Sequence, residues 1–119
     1  MKKAVLYTRA ERKAEEGFDE SITGQEIRLV NYCEQNNIEV TTVYHDFPFE
    51  KEPKRTQFIK MLYDFINGKY KADLCLFTSA DKLSEDLNEF LFYIKLLKNF
   101  GLEPRAIEPV YIITIIKIK

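Results

Sequence analysis

Apolar residues fall along this chain in short continuous runs that alternate with helical stripes. Ala4-Val5-Leu6-Tyr7-Thr8 is a near-continuous apolar run and predicts a buried strand over 4–8. Residues 10–20 are dense in charge and hold one glycine, the pattern of a loop or a frayed helix. From Ser21 the period becomes helical, with Ile22, Val30 and Cys33 near one face and Ile27 and Leu29 at its edges. Ser21 is a good N-cap, Thr23 and Glu26 have capping-box spacing, and Asn36-Asn37 closes the helix. Residues 38–46, IEVTTVYHD, are rich in β-branched side chains and predict a second strand. The prolines of FPFEKEPKR then forbid regular structure. Phe58, Met61, Leu62, Phe65 and Ile66 follow at i, i+3, i+4, i+7 and i+8, a helix with Gly68 at its C-cap. DLCLFTS, 73–79, predicts a third strand. A third helix over about 85–99 turns Leu87, Phe90, Leu91, Ile94 and Leu97 inward and ends at Gly101. EPRAI reads as a weak fourth strand and VYIITIIKIK as a fifth.

This alternation with short links predicts a three-layer α/β/α domain around a mostly parallel four- or five-stranded sheet. Such sheets place ligand sites beyond the carboxyl ends of their strands. That rule selects Arg9 and Glu11 after the first strand, and His45, Asp46 and Arg55 after the second. Ser79, Asp81 and Lys82 follow the third. The cations among them suit a shared anion, and an arginine fork matches phosphate oxygens.

With 119 residues the chain predicts one domain over 1–109, with the strand-like tail 110–119 part of it. The formal net charge of −1 gives no whole-chain attraction to nucleic acid, so DNA contact needs a local basic patch. The Lys-rich stretches at 51–55 and 69–71 are interleaved with acids and aromatics and read as solvated loops. Cys33 and Cys75 sit in apolar periodic segments and read as reduced core residues. His45 has no Cys or His partner at metal spacing, and no cofactor or metal is expected. Met1-Lys2-Lys3 leads into an apolar run too short for a signal peptide, and no run suits a membrane span, so the expected setting is the cytoplasm. In the tail, Val110, Ile112, Thr114, Ile116 and Ile118 share one face while Tyr111, Ile113 and Ile115 take the other. A strand apolar on both faces wants cover on both, in its own sheet or against a second copy.

The order of YTR, a charged loop, SITGQ, NYCEQNNIEV, KRTQF and DKLSED resembles the N-terminal catalytic domain of serine site-specific recombinases, the resolvase/invertase family. The resemblance spans about residues 3–109. It implies DNA strand exchange, in which a serine hydroxyl attacks a phosphodiester and arginines neutralise the charge that builds on phosphate. Under it, Arg9 and Arg55 match two family arginines, and Asp81 matches an aspartate. Lys82 replaces an arginine and loses its fork. Glu11 stands at the nucleophile's position and Glu85 at that of another arginine.

These departures imply that strand cleavage is lost. No serine or threonine lies between Arg9 and Ser21, so a shifted alignment restores no hydroxyl. A carboxylate can attack phosphorus in principle. Yet at ~4 Å and an effective dielectric near 20, a like-charge contact costs about 4 kcal/mol. The family's long dimer helix and DNA-reading region are also expected to be missing, because VYIITIIKIK is strand-like. DNA is thus a partner at family level, weak or lost here. Association with a second copy or with a full-length recombinase is the partner the resemblance leaves.

Each candidate also has an ordinary reading. Arg9 could pair with Glu11 or Asp81, and such surface pairs contribute ~0–1 kcal/mol. Arg55 could cover the first turn of the 58–66 helix. Asp81 with Ser84 could cap the third helix, with Glu85 and Asp86 at its positive end. Ser21 reads as an N-cap, Ser79 as a turn residue and His45 as a strand-end surface group. Three functions stay open: an inactive recombinase-like interaction module, a phosphoryl-transfer or phosphate-binding domain using Arg9, Arg55 and Lys82, and an unrelated doubly wound binding domain.

Overall fold

The computed structural model describes residues 1–10, 21–47 and 55–108. Glu11, the charged segment that follows it, most of the proline-bearing link and the expected fifth strand lie outside the described residues.

Eight elements follow in order: β1 (Lys2–Arg9), α1 (Ile22–Gln35), β2 (Ile38–Asp46), α2 (Thr56–Ile66), β3 (Leu74–Phe77), α3 (Ala80–Leu83), α4 (Leu87–Asn99) and β4 (Glu103–Ala106). The four strands form one all-parallel sheet in the order β2-β1-β3-β4. β1 therefore lies between β2 and β3, at the place where successive connections run to opposite sides.

Side-chain alternation divides the core into two layers. Ala4, Leu6, Leu74 and Leu76 face Leu29 and Cys33 of α1. Val5, Tyr7, Cys75 and Phe77 face Phe58, Met61 and Leu62 of α2, and Phe90 and Leu97 of α4. One residue resets this alternation in β2. Ala4 pairs with Val40 but Val5 pairs with Thr42, so Thr41 is an extra residue, and its hydroxyl donates to the Ala4 carbonyl at 3.1 Å. Before this bulge Val40 packs on the α1 side; after it Val43 does, leaving Tyr44 on the α2 side. The shift also aligns Arg9 with Asp46.

Several expected details are corrected. Ser21 is the N-cap of α1 and accepts from the Gly24 amide, so the Thr23–Glu26 box does not open this helix. Leu29, expected at an edge, is fully buried, while Ile27 is exposed. Ile66 and Leu91 keep the helical period but face solvent, because no element among the described residues covers those flanks. The expected 85–99 helix is α4, and a short helix that was not expected, α3, precedes it and ends at Ser84. Asp81 and Ser84 do not cap the longer one: Asp86 does, accepting from the Glu89 amide at 2.9 Å. No helix among the described residues is long and apolar enough to cross a membrane.

Candidate functional site

In a parallel sheet backed by helices, the strand carboxyl ends and helix N-termini share one edge. Here that edge collects Arg9 from β1, Asp46 from β2 and Thr78 after β3. The openings of α2 and α4 add Arg55 and Glu89.

Arg9 is fixed through its backbone. The Gln25 side chain, fully buried, accepts from the Arg9 amide at 3.1 Å and donates to the Arg9 carbonyl at 2.9 Å. The amide thus continues the ladder where β1 ends, and α1 is pinned to that point. By alternation the Arg9 side chain projects on the Tyr7 side. Burial, and then the charge of Arg55, pull its guanidinium below the ordinary value; Tyr7, Asp46 and Glu89 pull it upward.

Asp46 is buried and fully engaged. It accepts from the Tyr7 hydroxyl at 2.6 Å, the Gln57 amide at 2.8 Å and the Phe58 amide at 3.1 Å. The last two are orphan donors of the first turn of α2, so a carboxylate from a strand does the work of an N-cap. The residue at the cap position itself, Arg55, makes no side-chain cap bond. Its side chain lies across the Tyr93 ring, Cζ 4.7 Å from the centroid. Nη2 donates to Glu89 Oε1 at 3.1 Å. Nη1 is buried with no hydrogen-bond partner among the described residues. Below it, Tyr93 meets Phe58 edge-on at 5.0 Å, and Phe58 meets Tyr7 at 5.2 Å.

Lys82 is buried, with Nζ 3.7 Å from Asp81 Oδ2. Asp81 also accepts from the Ser79 hydroxyl. Glu85 is exposed in the bend between α3 and α4. On the α1 side, Thr8 and His45 hydrogen-bond to each other, and His45 Nε2 lies 3.2 Å from Glu26 Oε1, so His45 is a half-buried link and not a loose surface group. No cluster of three or more His, Cys, Asp or Glu among the described residues could hold a metal ion.

Of the sequence-selected residues, the structure thus couples Arg9 with Arg55. Lys82 with Asp81 follows β3 on the same edge, and Glu11 lies outside the described residues. Among the described residues the acids acting on Arg9 include Asp46 and Glu89; the expected partner Glu11 lies outside the described residues. Glu89, Gln25, Tyr7 and Tyr93 were not singled out from sequence. Tyr7 and Gln25 had a signal there, as the first residue of YTR and the last of SITGQ. Chemically, the edge offers two neighbouring guanidinium groups beside the carboxylates of Asp46 and Glu89.

No family model matches the chain, and no curated protein matches it in sequence. Its structure is similar to that of the N-terminal catalytic domain of TP901-1 integrase, with TM-score 0.71 and 25% identity over 88% of this chain and 76% of that one. A resolvase family site-specific recombinase from Streptococcus pneumoniae superimposes with TM-score 0.77 at 22% identity, over 90% and 72%. The catalytic domain of ISC1926 TnpA, an IS607-like serine recombinase, does so with TM-score 0.70 at 21% identity, over 90% and 68%. The all-parallel sheet, its helices on both faces and these likenesses together give the chain the fold of the serine recombinase catalytic domain.

Proposed function

We propose that this domain is a recombinase-like interaction or regulatory module that does not cleave DNA. The observation that carries the reading is Glu11, which stands at the family's nucleophile position with no hydroxyl residue from 10 to 20. Glu85 adds a negative charge where the family places a cation, and Lys82 lacks the fork of the arginine it replaces. Asp46, Glu89 and Asp81 offset the charges of Arg9, Arg55 and Lys82, which weakens attraction for a DNA backbone. Its partner in this reading is a full-length recombinase or a second copy. Incubation with supercoiled plasmids carrying candidate recombination sites tests it. No covalent protein–DNA adduct is expected; an adduct overturns the reading.

A second reading is favoured by one observation, the buried Nη1 of Arg55 with no partner among the described residues. A buried donor left unmade costs about 1–3 kcal/mol, and an oxyanion would satisfy it. In this reading the edge holds a phosphate-bearing ligand through Arg9 and Arg55, with Lys82 nearby. Equilibrium titration with inorganic phosphate tests it, with loss of binding expected in Arg55→Ala.

A further inference from the structure

We infer that Glu89 is a displaceable counter-charge of the Arg9–Arg55 pair, and that an incoming phosphate-type oxyanion replaces its carboxylate on Arg55. The inference rests on the second reading above and adds how that site is occupied and released.

The charge of Arg55 acts on the buried Arg9 guanidinium, and two such cations side by side need negative charge beside them. Among the described residues two acids supply it, and they differ in what else they do. Asp46 is 3% exposed and bound to the Tyr7 hydroxyl and two α2 amides. Moving it would uncap α2 and strand a buried hydroxyl, so it is fixed. The Glu89 side chain is 47% exposed. Its Oε1 accepts from Arg55 Nη2 at 3.1 Å and from the Ser84 hydroxyl at 3.0 Å. The Glu89 amide is capped separately by Asp86, so its carboxylate can turn to water without fraying α4. Both atoms that hold it can find other partners.

Arg55 is prepared for the exchange. Tyr93 supports its plane, and Nη1 already points into a buried position without a partner. A tetrahedral oxyanion that accepts from Nη2 and Nη1 makes the two-pronged contact that one Glu89 oxygen does not. Arg9 then contributes the second charge. The shared ligand chemistry is a phosphate-type oxyanion, free or within a phosphodiester.

The test compares wild type with Glu89→Gln, which keeps size and an acceptor for Ser84 while removing the charge. Glu89→Ala serves as a second variant, and thermal melts establish that each is folded. Inorganic phosphate is titrated at constant ionic strength while the Arg55 guanidinium resonances are followed by NMR. Binding roughly three- to tenfold tighter in Glu89→Gln is expected, with the gain abolished by adding Arg55→Ala. A parallel titration with a short dinucleotide separates the sources. A gain for both probes assigns the site to phosphodiesters as well; a gain for inorganic phosphate alone assigns it to free phosphate. Equal affinity of wild type and both variants overturns the role of Glu89 while leaving the arginine site standing. No phosphate binding by any of them overturns the site itself, and the second reading with it.

Discussion

Tyr7 and Asp46 meet across neighbouring strands through a buried hydrogen bond of 2.6 Å, and the carboxylate that receives it also caps α2. One side chain therefore ties the end of β2 to β1 and to the helix that delivers Arg55. Burial, and then Asp46, push the Tyr7 hydroxyl far above its ordinary pKa, so it stays a donor under all ordinary conditions.

Asp46→Ala is expected to cost about 2–4 kcal/mol in chemical denaturation, from the lost cap and the stranded hydroxyl. Tyr7→Phe, which leaves the two amide bonds in place, is expected to cost about 1 kcal/mol. The double variant should cost less than the sum, because the same bond is lost in both. Additive losses would show that the two groups do not act as one unit.

Gln25 joins α1 to the last residue of β1 and is fully buried. Gln25→Leu keeps the volume but strands the Arg9 amide and carbonyl. A loss of about 2–4 kcal/mol is expected, with faster hydrogen exchange at the Arg9 amide. Unchanged exchange there would mean that the ladder, not Gln25, holds the strand end.

The layers of this fold were readable from period alone, because strands buried on both faces and helices with one apolar stripe leave different spacings. Four strands and three long helices stand where the pattern puts them. What escaped depends on single residues that break a period. Strict alternation would place Asp46 on the face of Val40; the extra residue Thr41 puts it beside Tyr7, and no residue type in TTVYHD announces a bulge. The short helix α3 ends at Ser84 just before the expected third helix, so the capping role passes to Asp86 and Glu89 arrives beside Arg55. Ile66 and Leu91 show the converse limit: period marks a stripe, and only packing decides whether it is covered. Arg9 and Arg55 were legible as candidates because both follow strand ends in a parallel sheet.

Cys33 and Cys75 lie in different core layers and are both free. Burial raises the Cys33 thiol above its usual value and pushes that of Cys75 up to about 12. Thiolate is the reactive form, so neither should label quickly with a disulfide reagent in the folded protein. Both should label at once in denaturant. Fast native labelling of Cys75 would mean that its layer, where its Sγ sits 4.0 Å from Met61 Sδ, opens readily.

The cluster around Asp64 sets the expected pH limits. Asp64 accepts from the Tyr44 hydroxyl at 2.7 Å and from Lys60 Nζ at 2.8 Å, with Lys69 Nζ at 3.6 Å. The Lys60 hydrogen bond, then that of Tyr44, hold Asp64 below its ordinary value against the opposing effect of burial. A depressed carboxylate stabilises fully above its unfolded value, near pH 4, and loses that contribution as pH falls through the folded value. Tyr44 has the opposite sign. Burial, then its bond to Asp64, push it up to about 12. A raised tyrosine stabilises fully below its unfolded value, near pH 10, and loses that contribution as pH climbs toward the folded value. Stability measured by denaturation across pH should therefore fall at both ends. Asp64→Asn should flatten the acid limb, and Tyr44→Phe should remove part of the alkaline limb between about pH 10 and 12. Tyr7 and Tyr70, both raised chiefly by burial, should keep a residual alkaline limb in Tyr44→Phe. An acid limb unchanged by Asp64→Asn would place the acid sensitivity in another carboxylate.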